Sequence, residues 1–242
     1  MKRLIRLLFL FTLIALLTAC GQNNNGNPPS ESIVGWWTFD ESNNGQVADT
    51  SGQGNFATIN NGGTGTGKIG TALQMDGGND SIVTIPLSDS LRTTANAITI
   101  MGWAYRTAEH NVVIVAHGYP DLFLGFHGPG FKWQLENVNN KRAACYADDK
   151  KYKALLNEWY HVAGSYDGNT ARLYVNGKQI CKKWLWKGGD IKMPEKPFSI
   201  SGFVDDDGKI VDEITGKIDD VRIYNQALTA KEIQEIYHLD NK

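Results

Sequence analysis

EITGKIDDVRIYNQALTAKEIQEIY, residues 213–237, joins a strand carrying two adjacent carboxylates to a short terminal helix. Ile218, Val221, Ile223 and Tyr224 surround Asp219 and Asp220 with the apolar and β-branched side chains of a strand packed on one side. Thr229 stands three residues before Glu232. At that spacing a hydroxyl caps the free amides of a helix and the carboxylate reaches back to the cap. Ile233, Ile236 and Tyr237 follow at helical spacing, so the segment predicts a helix that docks one apolar stripe on the body of the domain.

Outward from this stretch, strand signals recur at short spacing with turn residues between them. That is the pattern of an antiparallel sandwich rather than of alternating strands and helices. The clearest hairpin is Leu173-Tyr174-Val175, Asn176-Gly177, Lys178-Gln179-Ile180, because Asn-Gly suits a turn whose central residues both need positive φ. Its simplest register sets Leu173 opposite Ile180 and Tyr174 opposite Gln179. Leu173, Val175 and Ile180 then share one face, with Tyr174 and Cys181 on the other. A second turn, Tyr166-Asp167-Gly168-Asn169, links the strand of Trp159 to that of Leu173. The run Asn60-Asn61-Gly62-Gly63-Thr64-Gly65-Thr66-Gly67 is too rich in glycine for a regular strand and predicts a surface crossing between sheets.

Further matches lie upstream: Val34-Gly35-Trp36-Trp37-Thr38-Phe39-Asp40, Ala48-Asp49-Thr50-Ser51-Gly52-Gln53-Gly54-Asn55, and Gly70-Thr71-Ala72-Leu73-Gln74-Met75-Asp76-Gly77. Ile98-Thr99-Ile100-Met101-Gly102-Trp103, Glu158-Trp159-Tyr160-His161-Val162-Ala163 and Arg172-Leu173-Tyr174-Val175-Asn176-Gly177 continue the order. With the closing stretch, these resemble the laminin-G-like (concanavalin A-like) jelly-roll domains over most of residues 33–238. The resemblance implies an all-β, two-sheet antiparallel jelly roll with a short C-terminal helix, and it puts Trp36, Trp103 and Trp159 in the core. It also implies a structural calcium where the family brings loop ends together. Asp40, Asp219 and Gly52, in the Ser51–Gly54 loop, are the expected ligands, since calcium takes about six to eight oxygens, some from backbone carbonyls. The competing expectation is that Asp40 and Asp49 bond their own backbone as turn residues.

Residues 1–20 hold Lys2, Arg3 and Arg6, an apolar run from Leu7 to Leu17, and Thr18-Ala19-Cys20. This is an export leader, too short to span a bilayer comfortably. Leu17-Thr18-Ala19-Cys20 resembles a lipobox with Cys20 as the acylated residue. Residues 21–32, GQNNNGNPPSES, lack any large apolar side chain and read as a flexible tether, leaving 33–242 as one domain. The expected location is the bacterial cell envelope, outer membrane or cell surface, with the membrane met through the N-terminal lipid alone. Cys145 and Cys181 remain as an even pair in an exported chain, so a disulfide is expected; two separate buried thiols are the alternative.

The chain carries 24 Lys and Arg against 26 Asp and Glu, mixed along its length, which gives no footprint for nucleic acid. Lys150, Lys151 and Lys153, like Lys182, Lys183 and Lys187, read as solvated loop charges. Asp205-Asp206-Asp207-Gly208 lacks the flanking ligands of an EF-hand loop. Sandwich β-glucanases of the superfamily carry Glu-x-Asp-x-x-Glu on one strand, and no such run occurs here. Trp184 and Trp186 follow the hairpin among lysines and present two indoles on one side of an extended segment. Indole faces stack on sugar rings, and Tyr119 and Trp133, outside the matched core positions, extend the possible platform; burial against a neighbouring strand is the alternative for each. The sequence therefore points to a lipid-anchored envelope module without catalysis that binds carbohydrate or a glycosylated partner. A structural or protein-adhesion domain is the alternative, with a glycoside hydrolase ranked last.

Overall fold

The computed structural model describes residues 30–78, 80–119, 121–147, 151–184 and 188–241. Residues 1–29, which include the expected leader, Cys20 and most of the expected tether, lie outside these, as do Lys150, Trp186 and Lys187. In chain order the strands begin with β1 (Ile33–Trp37), β2 (Ser42–Asn43), β3 (Gln46–Val47), β4 (Ala57–Asn60), β5 (Gly63–Thr66), β6 (Thr71–Asp76) and β7 (Ile82–Ile85). After a short helix α1 (Asp89–Arg92) come β8 (Ile98–Arg106), β9 (Val112–His117), β10 (Leu122–His127), β11 (Gly130–Glu136), β12 (Arg142–Tyr146) and β13 (Trp159–Tyr166). The chain closes with β14 (Thr170–Val175), β15 (Lys178–Trp184), β16 (Phe198–Ile200), β17 (Phe203–Val204), β18 (Ile210–Val211), β19 (Thr215–Tyr224) and helix α2 (Ala230–Asp240).

Two antiparallel sheets form the predicted jelly-roll sandwich. The first runs β15-β14-β13-β8-β19-β6-β5, with β1 also paired to β19; the second runs β12-β11-β10-β9-β16-β7-β4-β3-β2. Inward-facing residues of both sheets make one apolar core around Trp37, Phe126, Phe131, Trp133 and Phe198. The outer face of the first sheet is covered as well. There α2 buries Ile233 and Ile236 against Met101, Ala163, Tyr174 and Tyr224. The cap at its start is the one the sequence predicts: Glu232 N–H donates to Thr229 Oγ1 at 3.2 Å and Thr229 N–H to Glu232 Oε2 at 2.7 Å.

Several expectations need correction. Trp103 is buried, but under α2 on the outer face, stacked on Tyr237 at 5.7 Å, and not between the sheets. Trp36 and Trp159 are partly exposed; Trp37 is the first-strand indole in the core, donating to the Asn55 carbonyl at 2.8 Å. The glycine-rich run does cross between sheets at Asn61 and Gly62, yet Gly63–Thr66 then forms edge strand β5 against β6. The Asn176-Gly177 hairpin forms, but a bulge shifts its register so that Leu173 faces Cys181 instead of Ile180. That one-residue slip moves Cys181 from the outer to the inner face. It there bonds to Cys145, with the Cα atoms 5.7 Å apart. The disulfide so expected ties β12 to β15, the edge strands on one side of the two sheets.

Candidate functional site

Strand β19 changes partner along its length. Thr215–Ile218 pair with β6 and Val221–Tyr224 with β1, while β8 runs along the other side throughout. Asp219 faces Trp103 and Arg222 faces Met101, so three steps on β19 match two on β8, a β-bulge. Asp220 takes the extra position with φ +49°, a conformation that Asp tolerates better than a β-branched residue does. The two adjacent carboxylates thus stand in the gap between the start of β6 and the end of β1, beside a cavity of about 750 Å³.

Asp219 is fully buried, and its Oδ2 accepts the N–H groups of Lys68 at 2.8 Å and Ile69 at 2.9 Å. Asp40 Oδ1 accepts the N–H of Thr71 at 2.7 Å, so two carboxylates fasten the same turn ahead of β6. The turn is tight enough that a side chain at Gly67 would meet Asp219 Oδ2 and one at Gly70 would meet Asp40 Oδ1. On the helix side, Arg222 Nη2 donates to Asp220 Oδ2 at 2.6 Å and to Asp240 Oδ1 at 2.9 Å, joining β19 to the last residue of α2. The Trp36 indole N–H donates to Asp220 Oδ1, and the Arg222 guanidinium lies 4.7 Å from the Trp36 ring centre. Tyr224 and the half-exposed Leu239 supply further apolar wall.

The electrostatics reflect one arginine serving two enclosed acids. Burial lifts the Asp219 carboxyl to about 6 against the pull of the Ile69 and Lys68 amides, and the Asp40 charge adds to the rise. Asp220 is raised as well, chiefly by burial; Arg222 opposes the shift and Asp240 reinforces it. Burial works against the Arg222 charge, yet Asp220 and Asp240 outweigh it and lift the guanidinium further. Three enclosed polar atoms in this wall, Asp219 Oδ1, Arg222 Nε and Asp240 Oδ2, have no hydrogen-bond partner among the described residues. Such atoms cost free energy until a donor or acceptor reaches them. An aromatic face beside carboxylate and guanidinium groups offers what a sugar ring needs: C–H contact and hydroxyl partners on both sides of the hydrogen bond.

The predicted calcium residues can be tested on the same geometry. Asp40 and Asp219 line one cavity, and Asp219 retains an oxygen without a partner. Gly52 follows Ser51 of the cavity wall and donates its N–H to the Asp49 carbonyl at 3.4 Å. Among the described residues no three His, Cys, Asp or Glu side chains converge on a metal position. A cation here would be held by the two aspartates, with carbonyls and water completing its shell. Asp49 is instead a turn residue: its carboxylate accepts the N–H groups of Trp36, Ser51 and Asn55 at 2.8–3.0 Å.

Two residues of the predicted aromatic platform, Trp133 and Tyr119, stand on different faces of the second sheet. Trp133 is fully buried in the inter-sheet core, donating to the Ser165 carbonyl at 3.2 Å and packed against Gly164, so no face is left for a ligand. Tyr119 lies on the opposite, outer side of the second sheet, stacked at 3.9 Å on Phe203 of the β17–β18 hairpin. Trp184 ends β15 opposite Thr170, while Trp186 lies outside the described residues. What the sequence reasoning missed is Trp36, Arg222 and Asp240. A signal existed for the last, because an aspartate in the final turn of a helix opposes the helix dipole and calls for a cation.

A family model described as the concanavalin A-like lectin/glucanases superfamily matches residues 76–234. Among solved structures, the binding domain of Paraclostridial Mosquitocidal Protein 1 superposes with TM-score 0.69 at 14% identity, over 86% of this chain and 52% of that one. The binding domain of Botulinum Neurotoxin DC in complex with SialylT gives 0.65 at 17% identity, over 87% and 52%. Domain 4 of AbnA, a GH43 extracellular arabinanase from Geobacillus stearothermophilus, solved with arabinotriose, gives 0.62 at 18% identity, over 85% and 98%. The chain thus spans about half the length of the toxin binding domains and nearly all of the arabinanase domain. At these identities the likeness is one of fold. No curated protein matches in sequence.

Proposed function

The chain belongs to the concanavalin A-like lectin/glucanases superfamily, and from that premise we propose that it is a non-catalytic carbohydrate-recognition domain whose saccharide site is the cavity at the end of α2. The observation that carries this is the wall of that cavity: the Trp36 indole beside Asp219, Arg222 and Asp240, each with a polar atom that lacks a partner. Arabinotriose in the arabinanase domain and SialylT in the toxin binding domain support a saccharide as the ligand class. In the same proposal Cys20 carries a lipid, residues 21–32 act as spacer, and the domain stands on the bacterial envelope. Calcium held by Asp40 and Asp219 stabilises the turn they share.

A glycan array with the full-length chain tests the site. Specific hits that vanish in Trp36→Ala, while cooperative unfolding is retained, are expected. A blank array from folded protein would sink the saccharide site in favour of protein adhesion. Release of reducing sugar from mixed polysaccharides would instead assign a hydrolase, with Asp220 and Asp240 as the acids nearest to hand. Incorporation of labelled palmitate that disappears in Cys20→Ser checks the anchor.

A further inference from the structure

A second concavity, of about 560 Å³, lies on the other side of α2, between the Asn176–Gly177 turn, the helix residues Gln234 and Tyr237, and the segment 151–153. Its size falls within the roughly 300–1,000 Å³ typical of small-ligand pockets. Lys151, Lys153 and Lys178 stand around it, and Phe131, Tyr152 and Tyr160 form its aromatic wall. All three lysines are exposed, and none forms an ion pair among the described residues. Among the described residues no Asp or Glu lines it. Glu158 approaches only as acceptor of the Tyr160 hydroxyl at 3.0 Å, and Lys151 Nζ rests 5.1 Å from the Tyr152 ring centre. The contrast with the first cavity is one of sign: four aspartates against two cations there, three lysines here.

We propose that this groove is a second saccharide site, selective for glycans that carry anionic groups such as carboxylate or sulfate. The lysines supply charge and the tyrosines a face for the ring. Lys ammonium groups act as point charges without the fork geometry of Arg, so either anion is accepted. A lipid surface is the other source of clustered anions. The recessed wall favours a glycan over it, since a bilayer meets protruding rather than sunken aromatic groups. The site shares with the preceding proposal only the premise that the ligand is a saccharide.

The test is calorimetric titration of the full-length chain with oligogalacturonate and with its neutral methyl ester. At about 10 mM salt, where the Debye length is roughly 30 Å, the acid form is expected to bind at least ~10-fold tighter than the ester. It weakens at about 150 mM, where the length is roughly 8 Å. Joint Lys151→Ala, Lys153→Ala and Lys178→Ala abolishes the binding, and Arg at the same positions restores it. Because all three side chains are exposed, the variants keep the parent unfolding curve. Equal binding of acid and ester, or unchanged binding by the alanine variant, overturns the proposal. So does retention on anionic but not zwitterionic vesicles without oligogalacturonate binding. A positive titration with a blank neutral-glycan array removes the α2 cavity and leaves this groove; the reverse removes the groove.

Discussion

Replacing Arg222 with Met keeps the aliphatic stem against Trp36 and removes the cation from between Asp220 and Asp240. The three side chains are only 9%, 5% and 7% exposed, so water cannot take over the guanidinium's part. Breaking a buried ion pair by deleting one partner costs about 3–5 kcal/mol. The pH dependence follows from proton binding. Burial already lifts the Asp220 carboxyl to about 7 in the parent, so below that both folded proteins hold a proton that the unfolded chain releases, and the deficit stays level. Above it the parent releases the proton while the variant, with no cation between the two carboxyls, keeps it, so the deficit grows by about 1.4 kcal/mol per pH unit. Urea unfolding of parent and variant at about pH 7 and about pH 9 measures the deficit and its growth. A loss below about 1 kcal/mol at pH 7, or the same loss at both pH values, would refute this account of the triad.

Asp219→Asn addresses the neighbouring acid: with its folded value near 6 against about 4 unfolded, Asp219 favours the folded state most below pH 4 and loses up to ~3 kcal/mol of that as pH rises to 6. In chelator, the Asn variant is expected to lack this decline relative to the parent; parallel stability curves would remove Asp219 as its source. Calcium at a hundredfold excess over Kd adds about 2.7 kcal/mol if Asp40 and Asp219 hold it, read as a rise in Tm that Asp40→Asn abolishes. Trp133→Ala empties the centre of the core and removes the indole donor to the Ser165 carbonyl, an expected loss of about 3–5 kcal/mol in denaturant titration; a value under 1 kcal/mol would mean the indole is not enclosed. Joint Cys145→Ser and Cys181→Ser releases a cross-link spanning 36 residues of sequence, worth about 2–4 kcal/mol, visible as a lowered Tm that matches the reduced parent protein.

What could be read from the chain beforehand is what local chemistry decides. The Thr229–Glu232 cap and the Asn176-Gly177 turn each depend on a few neighbouring residues and form as predicted. The bulge at Ile180 does not announce itself, because the same residues fit either register until Cys145 arrives from the other sheet. Trp103 shows the same limit: its strand position fixes which way it points, and only the return of α2 decides that this outward direction is buried. Trp133 falls outside the matched family positions, although its neighbours Phe131 and Leu135 alternate with it as inward positions. In the candidate site, Asp40 and Asp219 were legible as loop-end carboxylates. The Trp36–Asp220–Arg222–Asp240 cluster was not, since Asp240 meets Arg222 only through the path of the helix.

The cystine between β12 and β15 fastens the two layers along one side, while on the opposite side β5 and the two-residue strands β2 and β3 end their sheets with no covalent link between them. Fluctuations that part the layers must therefore turn about the bonded side as a book turns about its spine. The page edges are the loops and strands from Ser42 to Thr66, whose amides should exchange with solvent long before those of β13 and β14 beside the binding. Reduction would free the spine, and exchange would then become more even from one side of the molecule to the other.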